Sequence, residues 1–254
     1  MTDLTIKRFI FKSSNLNNYK SDYRLSLNLP DYLNDTLIGL LLSDGGLERS
    51  SETSNVRLNV SMSMHNFPYV FHLYNLFEPY IDNDINILDI NLKDKNKLTK
   101  IYTTVRFKTI SMLQLSYYFK IFYVKNSLTN KWKKIVPIEL KSNFSPISLA
   151  HLIKGDGNYL KERNIVRIYT NSFIKNDVLL LFNILKRNLN ICNKVIHDRN
   201  DQYIIIIEKG SINNLRDIVL PYMHPFMFYK LGIKSLILKE KQEKFDYFSI
   251  INKI

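Results

Sequence analysis

Two stretches of the sequence close on the same pair of residues. Leu37-Ile38-Gly39-Leu40-Leu41-Leu42-Ser43-Asp44-Gly45 and Leu149-Ala150-His151-Leu152-Ile153-Lys154-Gly155-Asp156-Gly157 are both apolar helical runs ending in Asp-Gly. Small residues four apart, Gly39 and Ser43, let a partner helix approach at backbone distance. The glycine after each Asp is expected to supply the left-handed conformation that ends a helix. Packed side by side, the two helices would bring Asp44 and Asp156 together at one end. Adjacent carboxylates repel unless a positive charge lies between them, and a hard divalent cation bound through oxygens meets that need. Such a centre hydrolyses phosphodiesters by activating water and clamping the attacking and leaving oxygens. One such segment alone would more often be a buried helix with a glycine cap; two copies, each opening a matching stretch of chain, point to the site.

The elements around these segments recur in one order. In the first half a helix near Asp35–Ser43 leads to a strand Val56–Met64, a helix Phe67–Glu78, a strand Ile101–Phe107 and a helix Ser111–Tyr123. In the second half a helix Pro146–Gly155 is followed by a strand Ile165–Phe173, a helix Asn176–Leu189, a strand Tyr203–Glu208 and a helix from Ser211. Repetition over half the chain suggests duplication of an αββαββ unit. The expected division is 1–124 for the first repeat with an N-terminal extension, 125–144 for a polar, basic linker, and 145–254 for the second repeat with its C-terminal helix.

Period-two alternation in the strands buries one face and leaves the other polar. Val56, Leu58, Val60, Met62 and Met64 alternate with Arg57, Asn59, Ser61 and Ser63; Thr103, Val105 and Phe107 alternate with Tyr102, Thr104, Arg106 and Lys108. Later, Val166 and Ile168 oppose Arg163, Arg167, Tyr169 and Asn171. One such face is ordinary solvated sheet, but three with the same chemistry suggest a nucleic-acid surface. Tyr203–Ile207 departs from the pattern and reads as a strand buried on both sides.

Composition fits that reading. Thirty-six Lys and Arg against 23 Asp and Glu leave a formal charge of +13, which favours a polyanionic partner. One cysteine, Cys192, excludes an intramolecular disulfide and every multi-cysteine zinc module, and five scattered histidines show no ligand spacing. No apolar run reaches the length of a membrane span, and Met1–Lys12 lacks the features of a secretory signal, so no membrane role and a cytosolic, nuclear or organellar interior are expected. The single alanine, Ala150, beside abundant Asn, Ile, Lys, Leu and Tyr reflects AT-rich codons, such as those of an organellar genome.

At its two Asp-Gly motifs the chain resembles the single-chain LAGLIDADG homing endonucleases, over roughly Leu33 to Gly232. The resemblance implies an α+β fold of two pseudo-symmetric αββαββα repeats forming a DNA-binding saddle, with the motif helices as its seam. It implies a monomer that cuts both strands of a long, non-palindromic DNA target with Mg²⁺, or Mn²⁺ in its place, and leaves short 3′ overhangs. Asp44 and Asp156 match the metal-binding acids, and the backbone carbonyls of Ser43 and Gly155 are expected to assist them. Lys133-Lys134-Ile135-Val136-Pro137 and Tyr229-Lys230-Leu231 resemble segments that carry the family's active-site lysines, which makes Lys134 and Lys230 catalytic candidates. The motif's earlier acidic position is Leu42 in one copy and Lys154 in the other, and an interface glycine is replaced by His151; the seam of Gly39, Ser43, His151 and Gly155 should therefore be asymmetric. The family context implies a mitochondrial or other organellar matrix, without an evident import signal. The alternative is an intron maturase, or a non-cleaving nucleic-acid binder, with intron RNA as its partner.

Overall fold

The computed structural model of the 254-residue chain describes residues 4–7, 27–93 and 99–234. Parts of the expected N-terminal extension and of the C-terminal end therefore lie outside the described residues. The first repeat runs through helix α1 (Asp31–Leu41), strands β2 (Gly45–Glu48) and β3 (Arg57–Ser63), helix α2 (Phe67–Leu76), strands β4 (Asn86–Lys93) and β5 (Thr99–Lys108) and helix α3 (Leu113–Phe122). The second runs through α5 (Pro146–Asp156), β8 (Gly157–Leu160), β9 (Ile165–Ile168), α6 (Lys175–Leu189), β10 (Asn193–His197), β11 (Tyr203–Ile207) and α7 (Ile212–Val219). Both read αββαββα, and the fold is α+β.

The two antiparallel sheets share one strand order. The second is β10-β11-β9-β8, and the first is β4-β5-β3-β2 with β1 (Leu4–Lys7) added outside β4. Each sheet buries one face under its helices: Leu58, Val60, Val105 and Phe107 with Leu73 and Phe77 of the first repeat, and Val166, Ile168, Ile205 and Ile207 with Val178, Leu181 and Leu215 of the second, belong to one continuous core. A side chain such as Leu58 or Ile205, with no exposed surface, contributes about 1.5–3 kcal/mol by its removal from water.

Within the two αββαββα units, four strands were not expected from sequence: β2, β4, β8 and β10. β2 and β8 are four residues long and begin with glycine. β10 is a short edge strand. β4 has apolar side chains on both faces, since Ile87 and Leu88 are adjacent and both buried. The strand expected over Ile165–Phe173 stops at Ile168, so Tyr169 and Asn171 follow β9 instead of lying in it, and Arg163 sits in the turn before it. β11 is buried on both sides as expected: Ile206 is aligned between Arg167 and Lys194, whose aliphatic stems suit an apolar neighbour.

The connection between the repeats is packed. Strands β6 (Tyr123–Lys125) and β7 (Trp132–Lys134) form a hairpin, a one-turn helix α4 (Leu140–Asn143) follows, and Val136, Leu140 and Phe144 are buried.

Candidate active site

The seam of the molecule is the packing of α1 on α5. At Gly39 an added Cβ would lie 2.4 Å from the Ser148 carbonyl oxygen and 2.5 Å from His151 Cβ; at Gly155 it would lie 2.5 Å from both Cβ and Oγ of Ser43. Gly39 and His151 are equivalent positions of the two motifs, as are Ser43 and Gly155. Each crossing point thus sets a hydrogen against a side chain, and the expected asymmetry takes this form. Ser148 Oγ donates to the Asp35 carbonyl across the same seam at 2.9 Å.

The glycines after the acids act differently from the expectation. Among the described glycines only Gly232 has a positive φ, and Gly157 is extended at φ −79°. Gly45 and Gly157 are required by space: a Cβ would come within 2.9 Å of the Leu40 carbonyl oxygen in the first case and 2.5 Å of the Ile153 carbonyl oxygen in the second. The chain turns straight from helix into strand, and the first strand residue folds back on the last helical turn.

This turn sets Asp44 and Asp156 at the same end of the seam. A Cβ on Gly155 would stand 3.2 Å from Asp44 Oδ2. Asp156 is half-buried, whereas Asp44 keeps a solvent-facing side. Burial raises the carboxyl pKa of both. For Asp156, pushed up to about 7, burial is joined by repulsion from Asp44, with Lys230 and Lys134 opposing. For Asp44 the same two lysines oppose burial.

Those lysines occupy matching places. Lys134 Nζ, from β7, donates to the carbonyls of Ser43 at 3.2 Å and Gly45 at 2.7 Å. Lys230 Nζ, from the 3₁₀ segment Pro225–Leu231, donates to the carbonyl of Gly155, the equivalent of Ser43. Burial lowers both ammonium pKa values, that of Lys134 to about 8, against the pull of Asp44 and Asp156. The Ser43 and Gly155 carbonyls, expected beside a metal, thus hold lysines here, and a second lone pair stays available on each oxygen.

The donor set suits a hard divalent cation. The two carboxylates offer only oxygen and repel each other, so a cation between them relieves a strain that the lysines relieve in part. Among the described residues no third His, Cys, Asp or Glu joins them. Completion of a coordination shell must come from backbone carbonyls, water or a bound phosphate.

The outer faces of the sheets flank this centre. On the first, Arg57, Asn59, Ser61, Ser63, Thr104, Arg106 and Lys108 share one side, with Ser61 beside Arg106 and Ser63 beside Thr104 in register. Tyr102 is 49% exposed on the same side. Glu48, on the unanticipated β2, gathers three of these residues: its Oε1 accepts from Arg57 Nε at 2.7 Å and Lys108 Nζ at 2.5 Å, and its Oε2 from Asn59 Nδ2 at 3.2 Å. Asn86 on β4 lies opposite Arg106. On the second sheet Arg167 is aligned with Asn158 on β8, and Tyr169 is exposed. Asn171 is held by Gln202 at 2.7 Å and Asp198 at 3.2 Å. Glu48, Asn86 and Asn158 escape sequence reasoning because the strands that carry them do; the short Asp-Gly-Gly-Leu-Glu run was the available signal for Glu48. Asn59 Oδ1, Arg106 Nε, Arg167 Nε and Asn171 Oδ1 have no hydrogen-bond partner, a capacity buried polar atoms rarely leave unused.

Residues 35–215 match the LAGLIDADG DNA endonuclease family. The chain is 27% identical over 214 residues to the DNA endonuclease I-ChuI of Chlamydomonas applanata, covering 81% of this chain and 97% of that protein. It is 32% identical over 157 residues to the intron-encoded endonuclease ai4 of Dictyostelium discoideum, covering 61% and 94%. It is also 27% identical over 200 residues to the cytochrome b mRNA maturase bI2 of Saccharomyces cerevisiae, covering 77% of this chain but 46% of that one. Its fold is similar to that of the homing endonuclease I-WcaI, solved bound to its DNA recognition sequence, with a TM-score of 0.70, 23% identity and coverage of 87% and 98%.

Proposed function

The chain belongs to the LAGLIDADG DNA endonuclease family, and on that premise we propose that it is a sequence-specific endonuclease that hydrolyses both strands of a long, non-palindromic DNA target. The observation that carries this reading is the pairing, at one end of the seam, of two carboxylates with two lysines on equivalent carbonyls. Asp44 and Asp156 hold Mg²⁺, or Mn²⁺ in its place, which when bound supplies an acidified water and neutralises phosphate charge. Lys134 and Lys230, each drawn towards one motif, steady the charge that develops on the phosphate of one strand or the other. The polar sheet faces straddle the duplex, Arg57, Asn59, Ser61, Ser63, Tyr102, Thr104, Arg106 and Lys108 on one half-site and Arg167, with Arg163, Tyr169 and Asn171 from the segments flanking its strand, on the other. The products carry short 3′ overhangs. Residues 1–124 and 145–254 form the two halves around the connection at 125–144, and the chain acts as a monomer in an organellar matrix, mitochondrial in keeping with its intron-encoded relatives.

The test is incubation with DNA spanning the uninterrupted insertion site, with Mg²⁺ and without it. Mg²⁺-dependent double-strand cleavage is expected, and Asp44→Asn or Asp156→Asn should abolish it while leaving affinity for the target, measured in Ca²⁺, nearly intact. Cleavage by either variant at the wild-type rate would overturn the metal assignment. The maturase similarity favours one second reading, assistance to splicing of an intron RNA on the same scaffold. Acceleration of splicing by a protein that leaves every such DNA uncut would establish it in place of cleavage.

A further inference from the structure

In the segment that carries each active-site lysine, a residue one or two positions away is held by an arginine that also lies over an aromatic side chain, although the two arginines come from unrelated positions. Arg49 follows β2. Its guanidinium carbon lies 4.8 Å from the ring centre of Phe119 on α3 and 4.9 Å from that of Trp132 on β7, and Nη1 donates to the Glu52 carbonyl at 2.8 Å. Trp132 itself packs edge-on against Phe119 at 5.0 Å, and Phe119 stacks on Tyr123 at 4.7 Å. Trp132 is two residues from Lys134 on the same strand, so both side chains leave the same face of the hairpin. Fixing the indole fixes the pleat from which Lys134 reaches Ser43 and Gly45.

Arg216 lies on α7. Its Nε and Nη2 donate to the Leu231 carbonyl at 3.0 and 2.8 Å, and its guanidinium lies 5.7 Å from the Tyr159 ring on β8. Leu231 is the residue after Lys230. Gly232, at φ 70°, lies so close to the Tyr159 ring that a Cβ would meet it at 2.3 Å. Fork and ring together fix the backbone on the C-terminal side of Lys230. A guanidinium can stack and donate two parallel hydrogen bonds at once, which an ammonium cannot.

We propose that Arg49 and Arg216 are positioning residues for the two lysines, Arg49 for Lys134 and Arg216 for Lys230, so that each DNA strand's cleavage depends on its own arginine–aromatic clamp. This rests on the endonuclease reading of the site. A lysine displaced by about 1 Å loses rate on the order of 10- to 100-fold without any change in the groups that bind the duplex. The effect must therefore be confined to one strand, whereas loosening of the fold would affect both.

The test uses the full chain and a supercoiled plasmid carrying its target, the strands resolved by separate end labels under single-turnover conditions. Arg49→Gln should slow one strand and Arg216→Gln the other, on the order of 10- to 100-fold, with nicked circles of opposite polarity accumulating and affinity in Ca²⁺ unchanged. Arg49→Lys keeps the charge and loses the planar stacking, and Arg216→Lys keeps the charge and loses the fork, so they should behave like the Gln variants. Trp132→Leu and Tyr159→Leu remove the aromatic side of each clamp and should reproduce the two strand biases if an arginine variant fails to fold. Lysine acylation followed by mass spectrometry, without DNA or metal, should show higher labelling of Lys134 in Arg49→Gln and of Lys230 in Arg216→Gln. Equal slowing of both strands, rate loss matched by affinity loss, full rescue by lysine, or unchanged labelling would each overturn the proposal. A wild-type protein that binds the target and never cuts it would instead refute the endonuclease reading, and the labelling would still decide the clamps.

Discussion

Asp156 shows how the seam stores electrostatic strain. Its carboxyl is pushed up to about 7, by burial first and by Asp44 second, against about 3.9 for an unfolded aspartate. The folded chain therefore holds that proton more tightly than the unfolded chain, and this group costs stability as pH rises from about 4 to about 7. In EDTA, the melting temperature of Asp156→Asn minus that of the wild type should grow across that interval and level off above it. A difference that is flat with pH would show that the carboxylate is not strained. Excess Mg²⁺ should raise the wild-type melting temperature and leave that of Asp156→Asn nearly unmoved, since a ligand stabilises only the fold that binds it. At this scale the acids were legible because the same dipeptide closes two apolar runs. Lys134 and Lys230 became legible only through a family resemblance, as nothing in a lysine's neighbours in sequence says which backbone carbonyl it will reach. Glu48 was not legible, because its three partners come from two other strands.

Helix α5 carries a second buried cluster. Lys154, 1% exposed, has its Nζ 3.0 Å from His151 Nε2 and donates to the Tyr222 carbonyl at 2.8 Å, and His151 Nδ1 lies 2.8 Å from the Tyr69 hydroxyl. Burial lowers the Lys154 ammonium pKa to about 7; below that pH the ammonium can only donate, which places the imidazole proton on Nδ1, towards Tyr69, and one chain of contacts ties α2 of the first repeat to α5 of the second. Burial holds the His151 imidazole neutral. The departures of His151 and Lys154 from the motif pattern are thus used together. The glycines of the seam yield a sharper expectation. Gly39→Ala should destabilise by about 1–3 kcal/mol, and shortening His151 should not repair it, because the clash is also with the Ser148 backbone. Gly155→Ala should destabilise similarly, but Ser43→Gly should rescue most of the loss, because the contacts under 3 Å are with the Ser43 side chain and only Asp44 Oδ2, at 3.2 Å, remains close. Gly210→Ala, with nothing within 4 Å of its added Cβ, serves as the neutral control. Chemical denaturation measures each of these variants; a Gly155→Ala variant as stable as wild type would remove the close-packed seam. Elements with clean periodicity, such as α6 and β3, could be read from sequence. β4 could not, since the adjacent Ile87 and Leu88 are both buried and the strand lacks a single apolar face, and β2 and β8 are too short for alternation to show.

For the whole molecule, charge and pseudo-symmetry make separate claims. The charge of +13 predicts binding that weakens steeply with salt: neutralising on the order of 6 to 10 phosphates gives a slope of log affinity against log salt of magnitude about 5 to 9. A flat response would remove the nucleic-acid assignment. Pseudo-symmetry predicts how specificity divides. The sheets share one strand order but differ in side chains, with Arg57, Asn59 and Lys108 tied to Glu48 on one and Arg167 beside Asn158 on the other. An arginine paired with guanine or an asparagine paired with adenine is worth about 1 to 3 kcal/mol of discrimination. Arg57→Ala and Arg167→Ala should each relax base preference at a few adjacent positions, in opposite halves of the target, as read by cleavage of a randomised target library. Glu48→Gln should act in the Arg57 half alone, because it removes the charge that orients Arg57 and Lys108 without touching the second sheet. Changes spread evenly over both halves, or identical profiles for Arg57→Ala and Arg167→Ala, would show that base reading does not lie on these strand faces.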